Sequence, residues 1–153
     1  MTTTIHRAGP TDLDALAVLF DAYRQFYGQP GDVARARQWL RERLHFGESV
    51  VLVAQRAGTL AGFTQLYPMY SSVRTARTWI LNDLYVDPAV RRNGVARDLL
   101  DAAANFARDD GAAAISLETM QDNAAARALY RAAGWQEDAT QWYSLPLAAV
   151  SLQ

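Results

Sequence analysis

The segment Asp83-Leu84-Tyr85-Val86-Asp87-Pro88-Ala89-Val90-Arg91-Arg92-Asn93-Gly94-Val95-Ala96-Arg97 concentrates the residue types best suited to chemistry. An apolar strand-like run stops at Asp87-Pro88, a polar loop with two arginines follows, and a helix opens on Gly94-Val95-Ala96. The first amides of a helix lack intrahelical acceptors, and the helix dipole favours negative charge there. Gly94 and Ala96 are small enough for a phosphate to approach those amides, while Arg91, Arg92 and Arg97 add positive charge around it. This spacing suits a diphosphate cradle. A solvated basic loop with a glycine at a helix entry would satisfy the same spacing.

Composition narrows the chemistry further. All fifteen basic residues among the 153 are arginine, and there is no cysteine. The chain therefore has no lysine for a Walker-type phosphate loop, a Schiff base or a general base, and no thiolate nucleophile or sulfur ligand. A metal site would have to draw on His6, His45 and carboxylates, and neither histidine has a partner at i+3 or i+4. No metal is expected, and both histidines read as structural. A net charge of −1 and a pI near 6.1 give no general attraction to nucleic acid or to an anionic membrane. No apolar run reaches the roughly 18 residues of a membrane span, and the N-terminus has no apolar signal core, so a cytoplasmic protein is expected.

The elements that must position these residues follow from periodicity. Thr3 to Ala8 alternates as a strand, and residues 11–26 place Leu13, Leu16, Ala17, Phe20 and Tyr23 on one helical face. Gly28-Gln29-Pro30-Gly31 ends that helix, and a second one carries Val33, Ala36, Leu40 and Leu44. Ser49–Gln55 and Leu60–Leu66 form a hairpin, Pro68 to Thr78 is a polar connection, and Trp79–Val86 is a further strand. A third helix runs from Gly94 to Gly111, a short strand covers Ala113–Leu117, and a fourth helix is capped by Asp122 and closed by Gly134. Trp135-Gln136 and Gln141–Leu145 suggest two last strands. The order implies one α+β domain over residues 1–153 rather than an all-parallel sheet.

Two motifs resemble those of the GCN5-related N-acetyltransferase (GNAT) superfamily. Arg91-x-x-Gly94-x-Ala96 after a strand is similar to its coenzyme A loop, and Asn123-x-x-Ala126-x-x-Leu129-Tyr130 followed by Gly134-Trp135 is similar to its fourth-helix motif. The element order agrees over essentially the whole chain. The resemblance implies a central mixed, mostly antiparallel sheet of six to seven strands, with about four helices on both faces. It implies that the backbone of Leu84, Tyr85 and Val86 pairs with the pantetheine arm of acetyl-CoA. The amides of Arg92, Asn93, Gly94, Val95, Ala96 and Arg97 would hold the diphosphate beside Arg91. Asn123 would bond the pantetheine, and the Tyr130 hydroxyl would face the departing sulfur.

Acetyl transfer to an amine requires a neutral nucleophile, an oxyanion stabiliser and a proton for the thiolate. Deprotonating an alkylamine of pKa ~10.4 at neutral pH costs about 4–5 kcal/mol, so a base is needed, directly or through water. Asp83 and Glu118 are the candidates, as base or as anchor for the substrate amine. Strand alternation puts Asp83 on the face opposite Leu84 and Val86, where it could equally be the structural partner of an arginine. Tyr130 suits the acid, since a phenol of pKa ~10 can protonate a thiolate of pKa ~8.5; packing beside Leu129 is its alternative role. Tyr23, Phe26 and Tyr27 could line a substrate pocket or simply pack, with Tyr27 the candidate for substrate contact. Tyr67, Pro68 and Tyr70 would form a pocket wall or a subunit contact. With no cysteine, transfer must be direct, in a ternary complex. The expected partners are acetyl-CoA and a small cationic amine, amino acid, polyamine or protein amine, with a homodimer as an expected state. A non-catalytic acyl-CoA sensor with the same fold is the alternative.

Overall fold

The computed structural model describes residues 2–148. Its sheet has five strands in the order β1 (Thr3–Arg7), β2 (Val50–Arg56), β3 (Thr59–Ser71), β4 (Ala76–Val86) and β5 (Ala114–Ser116). The first four pair antiparallel and β5 joins β4 in parallel. Helices α1 (Leu13–Phe26) and α2 (Val33–His45) cover one face, and α3 (Val95–Asp109) and α4 (Ala124–Ala132) lie on the other. The mixed α+β class with four helices is as expected. The six to seven strands are not: five are present among the described residues.

Each face has its own core. Leu16, Ala17, Phe20, Ala36 and Leu40 pack with Val51, Val53, Phe63 and Tyr85 on one side. Val95, Leu99, Leu100 and Ala103 of α3 pack with Leu52, Ala54, Leu66, Trp79 and Leu81 on the other. Burial of several such side chains, each contributing about 1.5–3 kcal/mol, fixes α3 and therefore its first turn against the sheet. The entry of α2 is tied to α1 by buried Asp21, which accepts from Arg24 at 2.7 Å, Gln25 at 3.0 Å and the Asp32 amide at 3.0 and 3.1 Å.

Three local expectations are corrected. The polar connection Pro68–Thr78 is mostly strand, because β3 runs on to Ser71 and pairs with β4 as far as Ser71↔Ala76. Proline is tolerated there because β2 stops pairing at Val50↔Leu66, leaving β3 a neighbour on one side only. The cap of α4 is Asn123, not Asp122: the Asn123 side chain accepts from the Ala126 amide at 3.2 Å. Finally, Trp135-Gln136 and Gln141–Leu145 are not strands. Their pattern favours extended backbone, but a strand also needs a neighbour to bond, and among the described residues neither segment pairs with one.

Candidate active site

The β4–β5 junction opens the sheet. Pairing between them covers only Thr78↔Ala114 to Ile80↔Ser116, whereas β4 continues against β3 to Val86. From Leu81 onward β4 has no strand on its β5 side among the described residues. Leu84, Tyr85 and Val86 lie in this open stretch, as expected of a backbone that receives an extended ligand. Close packing with β3 is possible because position 62 is glycine: a Cβ there would sit 2.7 Å from the Tyr85 carbonyl oxygen.

The strand leads into the α3 entry. Asp87 accepts from the Ala89 amide at 2.9 Å, and Asn93 Nδ2 donates to the carbonyls of Val90 at 2.9 Å and Arg91 at 3.4 Å. These bonds fold the loop so that Gly94, at φ +75°, takes the N-cap position. Gly94 has no side chain to cap α3, whereas Asp32 and Asn123 cap α2 and α4. The Val95, Ala96 and Arg97 amides thus begin a helix without a side-chain acceptor. The arginines are less focused than the sequence implied. Arg91 Nε donates to the Val86 carbonyl at 3.2 Å, and Arg97 pairs with Asp101 at 3.1 Å on the exposed face of α3. Arg92 is exposed, with φ +68°.

Asp83 is 6% exposed, and its place depends on a bulge. Gln65 pairs with Asp83 and Leu66 with Leu81, so Asn82 is the extra residue. The bulge reverses the alternation: Trp79 and Leu81 face the α3 core, and beyond it Leu84 and Val86 take over that face. Asp83 and Tyr85 turn to the α1 side. There the Asp83 carboxylate accepts from Gln65 Nε2 at 2.8 Å and Asn82 Nδ2 at 3.1 Å, and the Tyr23 hydroxyl also bonds it. These described partners are all neutral. Burial therefore raises its pKa above the usual carboxylate value, against the smaller lowering effect of the hydrogen bonds.

A row of phenols extends from this carboxylate. Burial, then the Asp83 charge, pushes the Tyr23 pKa far up. The Tyr23 ring lies 5.1 Å from Tyr27, 5.6 Å from Phe63 and 5.7 Å from Tyr85. Tyr27 in turn influences Tyr130, whose pKa is raised by burial first and by Tyr27 second. Tyr27 arrives from α1 and Tyr130 from α4, on opposite sides of the sheet. They can sense each other because the sheet is open beyond Ile80.

Thus Asp83, Tyr27 and Tyr130 are brought together beside Leu84–Val86. Glu118 is not part of this cluster as described: it is exposed, two residues past the end of β5, with no described hydrogen bond or ion pair. Asn123 uses its side-chain oxygen to cap α4. Two residues that sequence reasoning passed over belong to the site. Gln65 is wholly buried and holds Asp83, and its Oε1 has no hydrogen-bond partner. A glutamine inside an apolar strand was the available signal, since buried amides need partners. Trp39, with Arg43 and Glu48, joins Tyr67 and Pro68 around an open cleft of about 700 Å³. Tyr67 connects the cleft to the site, interacting with Gln65 and with the Asp83 charge. Tyr70 lies outside it, exposed beside Arg77.

Comparison with known proteins settles the class. Residues 15–135 match the acetyltransferase (GNAT) family. This chain is a GNAT-family acetyltransferase. It is 45% identical to the uncharacterized N-acetyltransferase YhfO of Bacillus subtilis (strain 168) over 134 residues, covering 88% of this chain and 90% of that one. A probable acetyltransferase of Haemophilus influenzae is 32% identical over 103 residues, 67% of this chain and 70% of its own. The solved structure of a probable acetyltransferase superposes with a TM-score of 0.91 at 40% identity, covering 95% of this chain and 99% of the other. The matched stretch of the GNAT acetyltransferase begins in α1 and ends at Trp135, so it includes Tyr23, Tyr27, Asp83, the α3 entry and Tyr130. Among the described residues, no helix is long and apolar enough to cross a membrane.

Proposed function

We propose that this acetyltransferase moves the acetyl group of acetyl-CoA to a primary amine by direct attack in a ternary complex. The observation that carries the reading is Asp83: a buried carboxylate with neutral partners, at the open stretch of β4, joined through Tyr23 and Tyr27 to Tyr130. Its raised pKa makes it a stronger base than an exposed aspartate, though it remains far weaker than an amine.

In this reading acetyl-CoA lies along Leu84–Val86, with its diphosphate on the amides of residues 92–97 and Arg91 and Arg92 nearby. Asn123 lies beside the pantetheine. The amine enters past Tyr27 and the Tyr67 side, and its N–H groups donate hydrogen bonds to the Asp83 carboxylate and to Gln65 Oε1, which has no partner of its own. The amine nitrogen attacks the thioester carbonyl carbon as Asp83 takes a proton, directly or through water. When the C–S bond breaks, Tyr130 gives its proton to the sulfur, and burial keeps that phenol protonated beforehand. The two carbonyl-like acceptors suit a cationic acceptor: a small amine, an amino acid or polyamine, or a protein lysine or N-terminus. Glu118 could contact only an acceptor that extends beyond the cluster. The whole chain would act as one domain in the cytoplasm, without a metal.

The test is thiol release from acetyl-CoA with a panel of such amines, alongside calorimetry of acetyl-CoA binding. Turnover with at least one cationic amine is expected. Tight acetyl-CoA binding without turnover on any amine would instead point to a sensor. Gly94→Glu should abolish acetyl-CoA binding, because it places bulk, charge and an unfavourable positive φ at the α3 entry; retained binding would remove the cradle.

A further inference from the structure

The cleft beside Asp83 has a charge pattern that acetyl transfer to a plain amine does not require. Its wall holds one cation, Arg43, and one anion, Glu48, with the rings of Trp39 and Tyr67 and with Pro68. Arg43 is held by three groups: its guanidinium lies 4.2 Å from the Trp39 ring, Nε donates to Glu48 at 3.0 Å, and Nη2 donates to Glu42 at 3.4 Å. The Arg43 side chain is only 18% exposed, and its Nη1 makes no hydrogen bond among the described residues. A guanidinium fixed in a cleft wall with a donor to spare suits a carboxylate.

The cleft and the site share one surface. Gln65 and Tyr67 are two apart on β3 and so face the same way, toward α1 and α2 with Phe63. The Tyr67 hydroxyl is hydrogen-bonded by the side chains of Trp39 and Gln65, and it lies within reach of both the Asp83 and the Arg43 charges. Since Gln65 bonds Asp83 and Trp39 stacks on Arg43, the surface runs from an anion through Gln65, Tyr67 and Trp39 to a cation. Ser49 adjoins Glu48 and falls in step with Val51 and Val53, which face α1 and α2. It is 4% exposed, and its Oγ, like Gln65 Oε1, has no described partner. Buried polar atoms are ordinarily satisfied, so two orphans on one face mark room for a polar ligand.

We propose that the acceptor is a zwitterion: an amino acid whose amine sits at Asp83 and whose carboxylate is bound by Arg43 in the cleft. This rests on the acetyl-transfer reading and narrows its acceptor. A plain alkylamine has no carboxylate for Arg43, and a polyamine would bring a second cation to it. Gln65 and Tyr67 are roughly 7 Å apart along β3, so several carbons separate the amine from the carboxylate, as in an ω-amino acid or a basic amino acid reacting at its side chain. Glu48 competes with that carboxylate for Arg43, and at 52% exposed it can turn to solvent instead.

The test is thiol release from acetyl-CoA with ω-amino acids from β-alanine to 6-aminohexanoate, each beside the n-alkylamine and the α,ω-diamine of matching length. At least one amino acid should exceed its alkylamine by about tenfold or more in kcat/KM, the lower end of what a hydrogen bond to a charged group contributes. Arg43→Gln should bring that ratio near unity. Glu48→Gln, which removes the competing carboxylate, should raise it. Alkylamines or diamines used as well as every amino acid would overturn the zwitterion and leave acetyl transfer standing. No turnover in any of the three series would count against small-amine transfer itself and take the zwitterion with it. Should Arg43→Gln not fold, Glu48→Gln still decides: a fall in the ratio would mean that Glu48 holds a second ammonium, and would overturn the proposal.

Discussion

Asp21 and Asp83 are both aspartates, 2% and 6% exposed, and they sit in opposite electrostatic settings. Asp21 is met by the Arg24 guanidinium, the Gln25 amide and the Asp32 backbone N–H. Asp83 is met by two side-chain amides and a phenol. Burying a charge is tolerated when an opposite charge and backbone donors replace water, and costly when neutral groups alone do so. The first arrangement makes a clamp that holds the α1–α2 turn. The second holds a carboxylate whose pKa burial raises, at some expense in stability. Burial alone therefore says little about an acidic residue; the charge of its partners decides its role.

The sharpest contrast is between removing each carboxylate. Asp21→Ala should cost about 2–4 kcal/mol, since it takes the carboxylate from partly buried Arg24 and leaves the Gln25 amide and the Asp32 N–H without their acceptor, and urea unfolding will measure it. A loss under 1 kcal/mol would end its role as a clamp. Asp83→Asn should leave stability unchanged or higher while turnover falls by about 10²–10⁴-fold, the usual contribution of a positioned base. If it instead lowers stability as Asp21→Ala does and spares turnover, the two carboxylates are alike and the comparison fails.

Tyr130→Phe should lower turnover at least tenfold, or about 1.4 kcal/mol in barrier, with acetyl-CoA affinity nearly constant by calorimetry. Unchanged turnover would remove it as the acid. The smallest effect is on pH dependence. Asp83 has an ordinary value of 3.8 and a raised one in the folded protein, so the folded state holds its proton more tightly. Its contribution to stability is greatest below 3.8 and falls as pH rises through the raised value, while activity needs the ionised form. The stability difference between wild type and Asp83→Asn should thus change in that window, and the acid limb of kcat/KM should lie above the usual carboxylate range. A limb at the ordinary value would mean that burial does not act on this group.

The legible parts of the molecule are those whose information is local. Leu13, Leu16, Ala17 and Phe20 announce α1 by spacing alone, and the Arg91 to Arg97 motif lies in one loop and one helical turn. Asp83 could be placed on the correct face because alternation holds over the four residues that follow the bulge. The bulge itself was invisible, as was the continuation of β3 through Pro68, since both depend on how far the neighbouring strand extends. Gln65 lies 18 residues from Asp83 and Tyr23 lies 60 away, and no periodicity joins them. The last strands were read from a pattern that is genuinely strand-like, but pairing is a property of two segments rather than one.

By itself, the sequence determined which chemistry is available: no lysine or cysteine route, a helix entry suited to a diphosphate, and carboxylates and phenols as groups able to carry a proton. These follow from side-chain chemistry and short-range backbone preferences, which act over a turn or a strand. Only the tertiary structure decided which of the candidates share a site. It placed Asp83, Tyr23, Tyr27 and Tyr130 around the opening between β4 and β5, left Glu118 exposed, and surrounded Asp83 with neutral partners. Desolvation and charge act through space between elements far apart in the chain, so a carboxylate's reactivity is set only once its neighbours have been folded against it.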